Sequence, residues 1–194
     1  MTDDQELQRA EKHLDDMSTA ENIGNNEASW QDFLFRLERF WERTKRRYEK
    51  EPWYPKLYGP YGKLRKKDHL LRYLKQARNV ETHTIQGTIN STFKTVLKEK
   101  YGRPFSIKDL DIELEDKILT ISIHTNELFF DFDAIGGRDT PQLVRFSSRS
   151  AWFNPPSSHL GKRIESSNPI IVGKLGLDFA RSFLEEIQRM RKET

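Results

Sequence analysis

The stretch "WQDFLFRLERFWERTKRRY", residues 30–48, places Trp30, Phe33, Leu34, Leu37, Phe40, Trp41, Thr44 and Tyr48 at steps of three and four. That repeat is one continuous face of an α-helix, and a face so rich in aromatic rings is expected to be core. Ser29 stands where an N-cap is needed, because its hydroxyl can accept a hydrogen bond from the first turn. Ahead of it, "GNNEAS" (24–29) offers turn chemistry through Gly24 and two asparagines, so a break is expected there. Residues 4–22 then read as a separate, polar first helix with few apolar anchors.

Towards the C-terminus, "EPWYPKLYGPYGK" (51–63) holds three prolines, two glycines and four aromatic residues. Proline lacks the N–H that a helix needs and clashes with the preceding turn, so a loop is expected. Asp68 can cap a further helix through "HLLRYLKQARN", with Leu70, Tyr73, Leu74 and Ala77 as its buried stripe. After Ile85 the period changes. "DIELEDKILTISIHTNELFFDFD" (111–133) alternates apolar and polar residues, through Ile112 and Leu114, then Leu119, Ile121 and Ile123, then Leu128, Phe130 and Phe132. With turns at Glu115-Asp116 and Thr125-Asn126, this predicts a three-stranded antiparallel meander. "QLVRF" adds a fourth strand after Gly136-Gly137, and "NPPSSHLGKRIESSNP" reads as irregular. Asn168 and Pro169 open a final helix whose apolar stripe is Ile171, Leu175, Phe179, Phe183, Ile187 and Met190.

The fold class expected is α+β: an N-terminal helical bundle, a small antiparallel β-meander and a C-terminal amphipathic helix. The segments are an acidic N-terminal helix or arm (1–28), a helical region (29–90), a β region (105–155) and a helix packing back (168–192). They can be separate or parts of one domain, since 194 residues suit one domain or two small ones.

Composition narrows the chemistry. Charged residues make up 32% of the chain and hydrophobic ones 35%, so much of the surface must be solvated. With no cysteine there is no disulfide, thiolate metal site or cysteine nucleophile. The opening "MTDDQELQRAEKHLDDM" is acidic and has no apolar core of a signal peptide, and no apolar run approaches the roughly 20 residues of a membrane span. A soluble cytoplasmic protein, away from membranes, is the expectation. The net charge of +3 conceals segregation: residues 1–32 carry nine acids and two bases, whereas residues 36–78 carry fifteen bases and five acids. This pattern fits a basic face for a polyanion balanced by an acidic arm, and equally an acidic first helix packed beside a basic second one.

One short motif carries reaction chemistry. In "RNVETH", Arg78 is followed directly by Asn79 and, after four intervening residues in all, by His83. A histidine can take a proton from a ribose 2′-hydroxyl and return one to a leaving group. An arginine can hold a phosphate bidentately and stabilise the charge of a pentacoordinate transition state. An adjacent amide can orient either partner. This arrangement resembles the motif of the HEPN superfamily, many of whose members are metal-independent ribonucleases in toxin and defence systems. The likeness spans about Ser29 to Gln86. It implies an α-helical bundle, a homodimer whose two copies share a cleft, Arg78 as phosphate holder, Asn79 as support and His83 as acid–base group. The plain alternative is a solvent-facing Asn79–His83 pair, four apart on one helix face, with Arg78 bonded to Glu81. Arg78 and His83, five apart, are turned about 140° from each other on a regular helix.

The segment 45–67 interleaves nine basic residues with aromatic ones. Arg46, Arg47, Lys56, Lys63, Arg65, Lys66 and Lys67 could hold a nucleic-acid backbone while Trp53, Tyr54 and Tyr58 stack on bases. An aromatic loop folded over the core, with lysines outward, explains the same residues. His124, Asp131 and Asp133 on neighbouring strands read as solvent-facing rather than as metal ligands. Ser157, Ser158 and His159 sit in a loop with no orienting third residue. No cofactor or metal is called for. The sequence therefore supports an RNA-binding, HEPN-like homodimer that cleaves RNA without metal. It also supports a non-catalytic interaction protein that holds a protein partner or inhibitor on a basic surface.

Overall fold

The stripe from Trp30 to Tyr48 is the centre of the core, and all eight of its residues are buried. In this computed structural model the described residues are 3–20, 23–83, 87–92, 96–99, 110–115, 118–123, 132–135 and 140–193. The helices are α1 (Asp3–Thr19), α2 (Ile23–Tyr48), α3 (Tyr54–Lys67), α4 (His69–His83) and α5 (Pro169–Glu193). Helix α2 begins at Ile23, so the expected break at "GNNEAS" is instead helical and Ser29 is interior to the helix rather than its cap. The helix penalty of Gly and Asn, at most about 1 kcal/mol each, is small beside the tertiary packing that buries Asn26 and Trp30. Helix α1 is better anchored than its polar sequence suggests. It buries Leu7, Ala10, Leu14 and Met17, one residue per turn.

Helix α3 corrects the expected loop. Pro55 falls in its first turn, where the missing N–H is not needed, but Pro60 lies inside it. An interior proline costs about 3 kcal/mol. Packing outweighs it: Tyr54 stacks on Tyr58 with centroids 5.3 Å apart, and Tyr61 lies 4.7 Å from Phe183 of α5. Asp68 caps α4 as expected, its Oδ1 accepting from the Leu71 amide at 3.0 Å. Leu70, Tyr73, Leu74 and Ala77 are buried as the spacing predicts, joined by Leu71 and Val80.

Asn168 caps α5, accepting from the Ile170 amide at 2.8 Å. Phe179, Phe183 and Ile187 are buried, whereas Ile171 is 48% exposed. The buried face of the first half of α5 is instead Val172, Gly173, Gly176, Leu177 and Ala180. Two glycines mark the reason. A Cβ on Gly176 would lie 2.3 Å from Cδ1 of Leu74, and one on Gly173 would lie 2.7 Å from Cδ2 of Leu14. The helices approach so closely that only hydrogen fits, and this rotates Ile171 outward.

The strands are β1 (Ile89–Thr92), β2 (Val96–Glu99), β3 (Leu110–Glu115), β4 (Ile118–Ile123), β5 (Phe132–Ile135), β6 (Thr140–Leu143), β7 (Phe146–Ser148), β8 (Ala151–Phe153), β9 (Ser158–His159) and β10 (Lys162–Arg163). The chain is α+β, dominated by helix, and every described pairing is antiparallel and two-stranded. It divides into a unit of residues 1–92 with 139–194 and a unit of residues 93–138. The β region expected at 105–155 is thus split, its last part belonging with the helices. In the larger unit β1 pairs with β6, Ile89 opposite Leu143, and the Tyr73 hydroxyl donates to the Val144 carbonyl at 2.8 Å. "QLVRF" therefore spans the end of β6 and the start of β7. Within the "irregular" stretch, β9 and β10 form a hairpin whose turn, Leu160-Gly161, has φ of 49° and 79°, the left-handed pair such tight turns require.

In the smaller unit β3 and β4 form the expected hairpin, Ile112 opposite Ile121. The expected third strand differs. The part described, β5, pairs with β2, Val96 opposite Ile135, and not with β4. The alternation of apolar residues marks strands but does not encode which edge they join. Residues 124–131 and 136–139, including Thr125-Asn126, His124, Asp131 and Gly136-Gly137, lie outside the described residues.

Candidate nucleic-acid interface

Beside its apolar stripe, α2 carries a second row at three- and four-residue steps: Phe35, Arg39, Glu42, Arg43 and Arg46. With Arg78 of α4 these residues line an open cleft of about 460 Å³. Four guanidinium groups from two helices thus border one concavity, against the single lining carboxylate of Glu42. Phe35 is 40% exposed, with the guanidiniums of Arg36 and Arg39 5.7 and 5.8 Å from its ring centre.

A buried acid organises the row. Glu6 of α1 is wholly buried and meets Arg36 at 3.4 Å, Arg39 at 3.2 Å and Arg43 at 2.8 Å. Counting Glu6 with the lining, four guanidiniums and two carboxylates border the cleft. The segregated charge of the sequence is therefore resolved in part by the acidic first helix packing on the basic second, and a cationic surplus remains at the cleft. Such an excess of guanidiniums, two of them held by Glu6, is suited to phosphate oxygens.

The described motif side chains divide between this cleft and another side of α4. Arg78 lines the cleft. Asn79 donates to Oε1 of Gln76 at 3.5 Å, and the same oxygen accepts from the Ser148 hydroxyl of β7 at 3.1 Å, so Asn79 belongs to the side of α4 that meets the β7–β8 hairpin. His83 is the last residue of α4, and its side chain lies outside the described residues. Because α4 is helical from His69 to His83, the positions of Arg78 and His83 are about 140° apart around one axis. Glu81 accepts from the amide and hydroxyl of Thr88 at 2.7 and 2.5 Å and from Gln31 at 2.9 Å, fixing the chain where it returns to the sheet.

Of the 45–67 residues, Arg46 lines the cleft and Arg47 lies over the ring of Tyr48. Lys56, Lys63, Lys66 and Lys67 are exposed along α3. The aromatic residues turn inward. Tyr54 is buried, burial raising its hydroxyl pKa above the usual range, and Trp53 and Tyr58 pack half-buried against Tyr48 and Phe183. Arg65 is buried too, bonded to Glu38 at 2.5 Å and 4.4 Å from the Trp41 ring centre. The outward lysines and inward rings match the reading of an aromatic segment folded over the core. Tyr54 and Arg65 are closed to a ligand in this conformation.

His159 pairs with Asp68, not with Ser157 or Ser158. Its Nδ1 lies 3.0 Å from Asp68 Oδ1, while Oδ2 accepts from the Leu160 amide at 2.8 Å. Burial alone would raise the Asp68 carboxyl. The hydrogen bonds from His159, Leu160 and Leu71 outweigh it and hold the group below its ordinary value. This pair pins the β9–β10 hairpin to the start of α4. Among the described residues no three His, Cys, Asp or Glu side chains gather as a metal site, and no helix is long and apolar enough to cross a membrane. Asp133 lies in β5.

Phe35, Arg39 and Arg43 were not apparent as site residues from composition. Their four-residue spacing along α2 was the available signal, overshadowed by the stronger apolar stripe. Compared with known proteins, the chain matches no family model, no curated protein and no solved structure.

Proposed function

We propose that the protein binds RNA, its backbone phosphates seated in the arginine cleft between α2 and α4. The observation that carries this reading is the convergence of Arg39, Arg43 and Arg46 with Arg78 on one concavity. Fluorescence anisotropy with a labelled single-stranded RNA, at several salt concentrations, tests it. The double variant Arg46→Ala/Arg78→Ala should bind about ten-fold more weakly. The slope of log affinity against log salt should fall by about 0.7 for each phosphate no longer neutralised. Unchanged affinity and slope would refute the cleft as the seat of RNA.

The finer form of this reading is metal-independent cleavage of HEPN type. Arg78 holds the scissile phosphate, His83 accepts the 2′-hydroxyl proton, and the 2′-oxygen attacks phosphorus. The 5′-oxygen leaves with a proton, giving a cyclic phosphate and a free 5′-hydroxyl. Asn79 orients the histidine. On this reading Arg78 and His83, about 140° apart on a regular helix, meet either at a distorted helix end or across two copies in a homodimer. His83→Ala should abolish cleavage in chelator with an unchanged melting temperature. The second reading is a non-catalytic interaction protein that holds a protein partner or inhibitor on the same basic surface. The separation of Arg78 from Asn79 favours it. RNA bound but never cut by the wild-type protein would select a non-catalytic role.

A further inference from the structure

The β7–β8 hairpin presents an indole to solvent. Phe146 and Phe153 are cross-strand partners and stack inward, centroids 5.6 Å apart, so the alternation of the strand turns Trp152 outward. It is 60% exposed, the most of any large apolar residue described. Its backbone is tightly set, because the turn residues Arg149 and Ser150 have φ of 50° and 64°, the left-handed pair of a two-residue hairpin. The Arg145 guanidinium lies 4.2 Å from the ring centre, close enough for a cation–π contact that holds the side chain in place.

Next to the indole is a second, shallower pocket of about 210 Å³. Trp152, Phe153, Pro155 and Pro156 give it apolar walls, His69 and Arg72 of α4 give it donors, and no carboxylate lines it. Arg72 in turn lies 5.8 Å from the Phe153 ring centre. A flat apolar surface, flanked by Arg72 and Arg145 and lined by no carboxylate, fits a ring attached to a phosphate. It does not fit a cation, and the positive border gives an uncharged apolar ligand no advantage.

We propose that Trp152 and its pocket stack one unpaired base of single-stranded RNA, with Arg72 and Arg145 drawing the flanking phosphates. This deepens the RNA-binding reading, on which it rests, by naming single strands as the substrate class. The Gln76–Ser148 bond joins α4 to this hairpin, so the stacking site and the arginine cleft lie on two sides of the same helix.

The test uses the full chain and three RNA-binding measurements: a twelve-nucleotide oligo(U), the same length as duplex, and quenching of tryptophan emission. Trp30 and Trp41 are buried and Trp53 is half-buried, so the share of quenching lost in Trp152→Ala, which keeps those three, is what reports on Trp152. Single strands should quench the emission and duplex should not. Trp152→Ala should lose the quenching and bind single strands on the order of ten-fold more weakly, with an unchanged salt slope, because stacking releases no counterion. Trp152→Phe should keep most of the affinity. Equal binding by Trp152→Ala, or equal preference for duplex, would overturn the stacking site. If affinity then still depends on Arg46 and Arg78, the cleft reading survives. Dependence on Trp152 without dependence on the cleft would do the reverse, and no RNA binding at all would remove both.

Discussion

Arg43 of α2 donates to Oε1 of Glu6 across 2.8 Å, and that carboxylate is wholly buried while also serving Arg36 and Arg39. One anion therefore fixes a row of cations, two of which line the cleft. Glu6→Gln leaves three guanidiniums facing one another without their shared counter-charge. Removing one partner of a buried ion pair costs about 3–5 kcal/mol, and the partial exposure of the arginines puts the loss at about 2–3 kcal/mol. Urea denaturation reads that loss. The same change frees Arg39 and Arg43 for phosphate, so RNA affinity at low salt should rise and its salt dependence steepen. A variant that is less stable and binds RNA no better would show that Glu6 only staples the helices.

Gly176 and Gly59 are both helical glycines, held by different neighbours. At Gly176 a methyl group would meet Leu74 at 2.3 Å inside the core, with Leu37 and Leu70 also in contact. Overpacking of this kind costs about 1–3 kcal/mol. Gly176→Ala should lower the melting temperature although alanine favours helix. Gly59, within α3, meets no more distant part of the chain inside 4 Å, but it precedes Pro60, whose ring disfavours helical backbone for a residue that carries a Cβ, so Gly59→Ala should bring none of the roughly 1 kcal/mol that alanine gives at an ordinary helical site. Thermal melts of the two variants side by side check both outcomes.

What could be read from sequence was what is local and periodic. The α2 stripe, the caps at Asp68 and Asn168 and the β3–β4 hairpin follow from spacing and side-chain chemistry, and the structure has all of them. What could not be read depended on partners far along the chain. Pro60 stays helical because Phe183 lies beneath the tyrosines around it, and Ile171 is turned out because Gly173 and Gly176 admit Leu14 and Leu74. The same limit governs the site. Arg78 was legible from its motif, but its neighbours Arg39 and Arg43 are assembled by helix packing, and Trp152 owes its exposure to the β7–β8 pairing, which the expected β region at 105–155 did not specify.

Tyr73 ties the sheet to α4. Its hydroxyl donates to Val144 at 2.8 Å and lies 3.3 Å from the Thr88 carbonyl, in surroundings where the side chain is almost fully buried. Burial also raises its pKa far above the ordinary value, so the group remains a neutral donor at any working pH. Tyr73→Phe keeps the ring against Phe146 and removes only the donor. A loss of about 1–2 kcal/mol in urea denaturation is expected, since the part-buried Val144 carbonyl loses its hydroxyl donor.

Acid should destabilise the protein in two steps with the same sign. His13 is held below its ordinary 6.5, first by burial, against the pull of Asp32 and Asp16. The unfolded chain therefore takes up that proton before the folded one, and stability falls as pH drops through 6.5. Asp68 adds a lower window. Its carboxyl lies below the ordinary 3.8, because the hydrogen bonds from His159, Leu160 and Leu71 outweigh burial. Its stabilising contribution is complete above 3.8 and is lost as pH falls from there through the folded value. Melting temperatures from pH 8 to pH 2.5 should show both declines. His13→Asn should flatten the upper one alone, and Asp68→Asn, while lowering stability at neutral pH through the lost cap, should flatten the lower one alone. A decline below pH 4 that survives in Asp68→Asn would assign the acid sensitivity to other carboxylates.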